Sequence, residues 1–202
     1  MIRVQHLYKS YDNKPLFHDF NLEVKKQEFL ILSGKSGSGK TTLLNIIGGI
    51  EPVDSGNVCV CDVNITKERN LLNFFRYKVG FLFQNFALIE NQTVLQNLKI
   101  IKRKSRSSVS LEEAVTMVGL EEKLEQKVYT LSGGEQQRVA MARLMMKKCD
   151  LILADEPTGS LDRENAEIVI SILKKYQQLG KTICLVTHDD YIKTLGDRRV
   201  DL

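Results

Sequence analysis

Apolar residues along this chain form short continuous runs that alternate with longer segments of helical periodicity. Four almost wholly apolar runs are typical of strands buried on both faces of a sheet, at residues 28–32, 79–83, 151–155 and 182–187. Apolar positions recur at helical spacing in three segments, at residues 40–47, about 133–147 and about 162–179. Strands that alternate with helices imply a parallel sheet covered on both faces. The pattern therefore predicts an α/β fold.

The N-terminal part departs from this alternation. Residues 2–7 and about 20–32 carry β-type patterns, with turn chemistry at 12–15 between them. Residues 57–63 have the pattern of a further strand, after a break in the chain at 51–56. These segments predict a β part in addition to the parallel sheet.

The region from 85 to 131 differs in another way. Its helical periodicity and high charge predict a mostly helical insert, in which Ser110 and Glu113 have the spacing of a capping box. Within it, residues 102–108 are a basic, polar loop candidate. We therefore expect one domain over residues 1–202, made of a core at 1–84 and 132–202 and a helical insert at 85–131.

Composition and charge narrow the classes of function. A chain of 202 residues can bury one sizeable core. The net charge of +4 is small for this length, and basic residues are interleaved with acidic ones. Charge therefore does not favour a nucleic-acid partner.

Several features bear on the compartment. No apolar run approaches the roughly 20 residues needed to cross a bilayer, and the first residues lack the apolar core of a signal peptide. The four cysteines have neither metal-ligand spacing nor the pattern of a disulfide framework, at positions Cys59, Cys61, Cys149 and Cys184. We expect buried free thiols and a cytoplasmic protein.

A glycine-rich segment follows the predicted strand at 28–32 and opens the predicted helix at 40–47. Its residues match a phosphate-binding loop at every position: Gly34, Lys35, Ser36, Gly37, Ser38, Gly39, Lys40 and Thr41. Glycines let backbone N–H groups face phosphate oxygens, and the helix adds its positive end. In such a loop the lysine reaches the β- and γ-phosphates, and the threonine hydroxyl ligates Mg²⁺. A chance Gly/Ser loop would leave the flanking strand and helix unexplained.

Two carboxylates follow the apolar run at 151–155. Asp155 ends the predicted strand, where a carboxylate can hold Mg²⁺ through its water shell. Glu156 comes next, and a carboxylate beside a metal and phosphates is suited to act as a general base. A structural Asp-Glu pair that caps the next turn would fit Pro157 but not the strand-end position. We therefore expect both carboxylates to face the phosphates.

A second anion-binding pattern lies before the helix at 133–147. Ser132, Gly133 and Gly134 precede a helix that begins near Glu135, which exposes backbone N–H groups and a positive helix end. The alternative is that Ser132 simply caps the helix. Since the chain already has one phosphate loop for its own nucleotide, this second pattern calls for a further explanation.

Single residues elsewhere complete the set of candidates. Gln84 follows the buried run at 79–83, and His188 follows the run at 182–187. Tyr11 is a flat aromatic that could stack on a purine, although Tyr8 is near it in sequence.

Taken in order, these motifs resemble those of the nucleotide-binding subunit of ATP-binding cassette (ABC) transporters, over nearly the whole chain. The resemblance implies a P-loop NTPase core with a parallel sheet, a small antiparallel β subdomain and a helical signature subdomain. It implies ATP and Mg²⁺ as ligands and ATP hydrolysis as the reaction. It also implies two partners, a second cassette, expected to be an identical chain, and a membrane-spanning permease subunit that places this chain on the inner face of the membrane.

The resemblance also implies roles for single residues. Glu156 resembles the general base, Gln84 the Q-loop glutamine that contacts the metal or water, and His188 the switch histidine that contacts the γ-phosphate. Thr42 resembles the residue that contacts the α-phosphate, and Tyr11 resembles the aromatic residue that stacks on adenine.

The same resemblance explains the second anion-binding pattern. Residues Ser132, Gly133, Gly134 and Glu135 resemble the family signature, which closes on the γ-phosphate held by the other cassette of a head-to-tail dimer. Asp162, in Ser160-Leu161-Asp162, resembles the D-loop residue that communicates across that interface. Contact with membrane subunits is expected near the Q-loop, at Phe75, Tyr77, Phe86, Leu88 and Ile89.

Within the family, residues 154–162 and 83–86 look most like the group that serves lipoprotein release, macrolide and peptide export, and cell-division control. This implies export of a peptide, a bacteriocin or a lipophilic substrate. Residues 197–202 stop near the point where relatives add another turn and strand, so we expect no C-terminal regulatory domain. Two alternatives stay open, namely an ABC ATPase that signals to a membrane partner without transport, and a soluble ABC ATPase that acts on nucleic acid or ribosomes.

Overall fold

The computed structural model describes residues 1–67, 71–159 and 161–202. Its centre is a five-stranded parallel sheet whose strands lie in the spatial order β6 (Val79–Leu82), β7 (Leu151–Asp155), β8 (Thr182–Val186), β3 (Phe29–Ser33) and β9 (Arg198–Asp201). All residues of β3 and β8 are buried, as the continuous apolar runs predict. The predicted α/β fold is therefore confirmed.

Helices cover both faces of this sheet, and alternate residues of each strand supply the two contact surfaces. The long helices are α1 (Lys40–Ile47), α5 (Gly133–Met145) and α6 (Arg163–Gln178). On β3, Phe29 and Ile31 pack into the core that includes buried residues of α5 and α6. Leu30 and Leu32 face the opposite core, which includes the buried residues of α1. The sheet thus separates two hydrophobic cores.

A second sheet closes the core on the α1 side. It is antiparallel, in the order β2 (Lys14–Val24), β1 (Ile2–Tyr11), β4 (Ser55–Val60) and β5 (Val63–Asn64). Its buried residues, among them Ile2, Val4 and Val58, pack into the same core as Leu43 and Leu44 of α1. This is the antiparallel part that the family resemblance implies.

One predicted strand was wrong in extent, and one β-type segment extends over two sheets. The β-type segment at about 20–32 belongs to two strands of different sheets, β2 and β3, with Gln27 at a φ of 62° between them. The strand predicted at 57–63 reverses at Cys61 and Asp62, whose φ angles are 50° and 65°. Because Val60 pairs with Val63, this is a two-residue hairpin loop with the positive φ angles that such loops require.

Between β6 and α5 the named elements are all helical, and the rest of the segment is turns and loops. The segment forms α3 (Val94–Lys99), α4 (Leu111–Val118) and three short 3-10 turns at Arg103–Ser105, Glu121–Lys123 and Val128–Thr130. Ser110 caps α4 and accepts a hydrogen bond from the Glu113 N–H, as the capping-box pattern predicts. The domain boundaries at 84/85 and 131/132 stay a prediction.

The sequence pattern missed three elements, α2 (Leu72–Tyr77), α7 (Asp190–Lys193) and β9. β9 forms the edge of the parallel sheet and pairs with β3, so the last residues do contribute a strand.

In the described part of the chain, no helix combines the length and the apolar character that crossing a membrane requires. The four thiols are free and three of them are buried, and burial raises the pKa of Cys61 to about 12.

Candidate active site

The phosphate-binding loop lies where β3 ends and α1 begins, at the carboxyl edge of the parallel sheet. Gly34, Gly37 and Gly39 have φ angles of 143°, 78° and 95°, in a region that side chains with a Cβ rarely adopt. A Cβ on Gly34 would also lie 2.5 Å from the carbonyl oxygen of Leu202. The loop conformation therefore requires glycine at Gly34 on two grounds.

Lys40 and Thr41 open α1 and face different partners. The Lys40 ammonium donates to the carbonyl oxygens of Gly34 and Lys35, at 3.0 and 2.8 Å, and so lies along the loop. The Thr41 hydroxyl donates to Asp155 Oδ1 at 3.1 Å. Residues that are 114 positions apart in sequence thus meet at the end of β7.

The Thr41–Asp155 pair suits a hard divalent cation. Mg²⁺ prefers oxygen ligands and is usually held by one or two carboxylates together with substrate phosphates. The described residues contain no group of three or more His, Cys, Asp or Glu side chains that could hold a metal by themselves. Burial raises the pKa of Asp155, so a nearby cation would favour its charged form.

Glu156 has an unusual backbone conformation. Its φ is 46°, in the left-handed region, and its N–H donates to the carbonyl oxygen of Val186 at the end of β8. Such a conformation costs about 1–3 kcal/mol and must be held by its surroundings. The side chain is 14% exposed and its Oε2 lies 2.9 Å from His188 Nδ1. The two atoms are close but not aligned, so Oε2 has no hydrogen-bond partner among the described residues.

Three clefts meet around these residues. One of about 370 Å³ is lined by the loop, Tyr11 and Glu156. A second of about 470 Å³ is lined by Thr41, Asp155 and Gln84. A third of about 410 Å³ includes Glu156 and His188. Because Thr41 and Glu156 each line two of the clefts, the structure brings the predicted phosphate, metal and catalytic residues together.

Of the two tyrosines considered for the adenine, Tyr11 lies in the cleft beside the loop. Its hydroxyl donates to Glu51 Oε1 at 2.9 Å, and Glu51 also pairs with the buried Lys9 ammonium at 2.5 Å. The hydrogen bond between Lys9 and Glu51 raises the pKa of the Lys9 ammonium and lowers the pKa of the Glu51 carboxyl. Tyr8 instead packs edge-on against His18, with ring centroids 4.9 Å apart. The structure therefore favours Tyr11 over Tyr8.

We expect Tyr11→Ala to weaken ATP binding about tenfold, because stacking of a base on an aromatic ring contributes about 1–3 kcal/mol. Tyr11→Phe keeps the ring and should bind ATP within about twofold of the wild type. A fluorescence titration with ATP measures both. Inorganic tripolyphosphate is the control ligand, and an equal loss of its affinity in Tyr11→Ala would contradict a role in stacking.

Gln84 is exposed at the end of β6, at the start of a turn with two strained residues. Phe86 and Ala87 have φ angles of 60° and 49°. Their carbonyl oxygens accept hydrogen bonds from the two terminal nitrogens of Arg143, on α5, at 2.9 and 2.7 Å. The buried Asn97 side chain bonds both the N–H and the carbonyl of Ile89 at 2.8 and 3.0 Å. The segment after Gln84 is thus held from two helices.

Replacing Arg143 by methionine removes both hydrogen bonds while retaining apolar bulk. Because the turn after Gln84 then loses its anchor to α5, we expect kcat for ATP to fall about tenfold, which corresponds to about 1.4 kcal/mol, with little change in ATP affinity. Steady-state kinetics measure the two effects separately. Arg106→Met is the matched control, since the Arg106 side chain bonds Ile101 O in its own loop. Equal losses in the two variants would refute a positioning role for Arg143.

The second anion-binding pattern lies elsewhere on the molecule. Ser132 caps α5 in a capping box with Glu135, and the backbone N–H of Ser132 lowers the pKa of the Glu135 carboxyl. Asp162 caps α6 and accepts hydrogen bonds from the backbone N–H and the side-chain amide of Asn165, which also contacts Arg138 of α5. None of the three clefts is lined by residues 132–135 or by Asp162. Within one chain, residues 132–135 therefore do not line the cleft of the phosphate loop, whereas Asp162 lies between Leu161 and Arg163, which line the cleft of Glu156 and His188.

The residues predicted to contact a membrane subunit differ in their exposure. Ile89 is 46% exposed, whereas Phe75, Phe86 and Leu88 partly pack against the two cores. Ser160 lies outside the described residues. Sequence reasoning missed Arg143 and Glu51. The signal for Arg143 was a single charge among the buried residues Met141, Ala142 and Leu144.

A phosphate loop at a strand–helix junction, facing two strand-end carboxylates and a histidine, defines a P-loop nucleoside triphosphatase. A family model described as ABC transporter matches residues 17–159. This chain therefore belongs to the ABC transporter family as an ATP-binding, ATP-hydrolysing cassette. The resemblance seen in the sequence motifs is confirmed.

Its relatives agree with this assignment. The chain is 37% identical to the lipoprotein-releasing system ATP-binding protein LolD of Aquifex aeolicus, over 100% of this chain and 93% of LolD. It is 36% identical to the macrolide export ATP-binding/permease protein MacB of Campylobacter jejuni, over 100% of this chain and only 33% of MacB. It thus spans about a third of that protein.

The fold agrees as well. The structure of the ATP-binding cassette MJ0796, from Methanocaldococcus jannaschii, in a dimeric post-hydrolysis state bound to ADP and Pi matches with a TM-score of 0.88 at 35% identity. The match covers 100% of this chain and 94% of that one.

Proposed function

We propose that this chain binds ATP with Mg²⁺ and hydrolyses it as one of two cassettes that close head to tail, and that closure drives a membrane permease. The observation that carries the proposal is the meeting of Lys40, Thr41, Asp155, Glu156 and His188 at one edge of the sheet, apart from residues 132–135. The first set can hold and cleave a nucleotide, and the second can bind an anion presented by another molecule.

In the nucleotide-bound form, Lys40 exchanges its bonds to Gly34 and Lys35 for the β- and γ-phosphates. Lysine is suited to this because its ammonium has three donors on a flexible stem. The amides of residues 34–39 surround the phosphates, Thr42 contacts the α-phosphate, and Tyr11 stacks on the adenine. Thr41 and Asp155 would hold Mg²⁺, with Gln84 at the facing wall of the cleft. Bound Mg²⁺ would neutralise charge on the β- and γ-phosphate oxygens.

Glu156 then takes a proton from the attacking water, whose oxygen forms the new bond to the γ-phosphorus as the bond to ADP breaks. Its Oε2 is free to accept that proton because it has no hydrogen-bond partner among the described residues. His188 lies against the same oxygen and is 72% exposed, so its ring can turn to the γ-phosphate. The products are ADP and inorganic phosphate.

The second cassette is expected to be an identical chain. Ser132, Gly133, Gly134 and Glu135 would approach the γ-phosphate bound to the partner, and Asp162 would lie at the same interface. The dimeric cassette of the relative MJ0796 supports this arrangement. Charge-assisted bonds from both sides would hold the dimer until the γ-phosphate is cleaved.

The permease is proposed from the names of the relatives and from the exposed Ile89 beside the Gln84 turn. LolD is named for lipoprotein release and MacB for macrolide export. For this chain we propose export of a peptide or lipophilic substrate. This would place it at the inner face of the cell membrane through its permease.

Affinity purification of tagged protein from detergent-solubilised native membranes, with ATP present, tests the partner. Mass spectrometry should identify a protein with several membrane-spanning segments in stoichiometric amount, and the amount should fall when ATP is omitted. Recovery with ribosomes or nucleic acid alone would refute the permease and favour a soluble ABC ATPase.

A further inference from the structure

A cluster of exposed basic residues lies away from the nucleotide site. Residues 91–111 contain five basic side chains and no acidic one. Lys99 ends α3, and Lys102, Arg103 and Lys104 follow it in an exposed loop and 3-10 turn. All four side chains are exposed.

The end of α5 adds a further charge to this surface. The N–H of Lys148 donates to the carbonyl oxygen of Ser105 at 2.8 Å, and the N–H of Ser107 donates to that of Met146 at 2.8 Å. The exposed Lys148 therefore lies beside the basic loop although it is 44 positions away from Lys104. We call Lys99, Lys102, Arg103, Lys104 and Lys148 the basic patch.

The basic patch has no internal counter-charge. Among the described residues, none of its five side chains makes a salt bridge, whereas Lys9, Lys78, Lys123 and Lys193 all do. The neighbouring Ile100 is 44% exposed, so an aliphatic side chain stands among the charges. Basic side chains with an interspersed apolar residue are typical of surfaces that bind anionic membranes.

The position of the basic patch fits a membrane surface better than a peptide ligand. None of its side chains lines the three clefts described above. Lys99, the last residue of α3, also comes two positions after Asn97, and Asn97 holds the backbone of the exposed Ile89. One end of the patch thus lies on the helix that anchors the segment proposed to meet the permease.

We propose that the basic patch binds the headgroups of anionic phospholipids and so holds the cassette against the membrane. The orientation towards the bilayer rests on the proposed function, but the binding of lipid does not. Each basic side chain near an anionic surface strengthens binding about fivefold, and salt screens the effect.

Co-sedimentation of the purified chain with vesicles tests this inference. Vesicles of phosphatidylcholine that contain phosphatidylserine should bind the chain at low salt, and vesicles of phosphatidylcholine alone should not. Raising the salt should release it. The variant Lys102→Gln/Arg103→Gln/Lys104→Gln should bind about a hundredfold more weakly, as expected for three lost charges.

The matched control is Lys25→Gln/Lys26→Gln/Lys175→Gln, which removes the same charge from other exposed positions. It should bind like the wild type. Equal weakening of both variants, or equal binding to neutral vesicles, would overturn the inference. Retention on heparin without binding to vesicles would assign the patch to another polyanion and would also overturn it.

ATP hydrolysis separates this inference from the proposed function. Both triple variants should hydrolyse ATP like the wild type, because their side chains lie outside the nucleotide clefts. Absent vesicle binding with intact hydrolysis would refute the patch alone. Absent hydrolysis in the wild type would refute the proposed function and leave vesicle binding to be judged by itself.

Discussion

Lys40→Ala is expected to abolish detectable ATP binding and hydrolysis. The Lys40 ammonium donates to two carbonyl oxygens of its own loop, at 3.0 and 2.8 Å, and Lys40 lines the cleft beside that loop. Hydrogen bonds to charged groups contribute about 1.5–3 kcal/mol each. The loss of two such bonds to phosphate should weaken ATP binding at least about a hundredfold, or about 2.7 kcal/mol.

Equilibrium titration with ATP measures the affinity, and a thermal melt checks that the variant folds. Folding should persist, because Lys40 is partly exposed and its partners are loop carbonyls that water can satisfy. Lys175→Ala, an exposed lysine on α6, is the matched control and should bind ATP normally. Normal hydrolysis by Lys40→Ala would show that the glycine-rich segment is not the phosphate site.

The parts of the fold that sequence predicts well are those whose pattern reflects local burial. The bounds of α1 and β7 coincide with the predicted segments at 40–47 and 151–155. The apolar residues of both elements pack into the hydrophobic cores, so the spacing of these residues in the sequence indicates which positions are buried. The same reasoning explains why the capping box at Ser110 was recognisable before the helix was seen.

Two features that the sequence pattern did not reveal, the turn between β2 and β3 and the strand β9, depend on tertiary contacts. The turn between β2 and β3 contains neither glycine nor proline, and Gln27 holds its positive φ with an N–H bonded to Thr182 Oγ1, which is 155 positions away. β9 has no fully buried residue and forms because it pairs with β3. Neither signal is present in the local sequence.

The candidate site divides in the same way. Motif spacing points to Lys40, Thr41, Asp155 and Glu156, because each chemistry needs a particular residue type at the end of a strand or the start of a helix. Arg143 stands out locally as a single charge in an apolar stretch, but its contact with Phe86 and Ala87 crosses more than 50 positions, and no local pattern indicates these partners. The left-handed φ of Glu156 likewise depends on its bond to Val186. Motif spacing therefore identifies candidate reacting groups more readily than the contacts that hold them in place.

Glu156→Gln should keep ATP affinity and lose hydrolysis. Glutamine has nearly the same shape, so it can occupy the same partly buried position beside His188, but its amide cannot take a proton from water. General-base catalysis contributes about a hundredfold to ten-thousandfold, and kcat should fall by that factor. Glu122→Gln, an exposed position in a 3-10 turn, makes the same charge change and should leave kcat intact.

The same variant should reveal the dimer. If cleavage of the γ-phosphate is what releases the two cassettes, a chain that binds ATP without cleaving it should accumulate as a closed pair. Size-exclusion chromatography with ATP should then show Glu156→Gln at twice the mass of one chain, and ADP should return it to a monomer. Adding Ser132→Arg, which places a bulky side chain at the N-terminus of α5, should prevent the pair from forming without affecting ATP binding in the monomer. A monomer at saturating ATP would show that bound ATP does not close the pair, whereas undiminished hydrolysis would show that Glu156 is not the base.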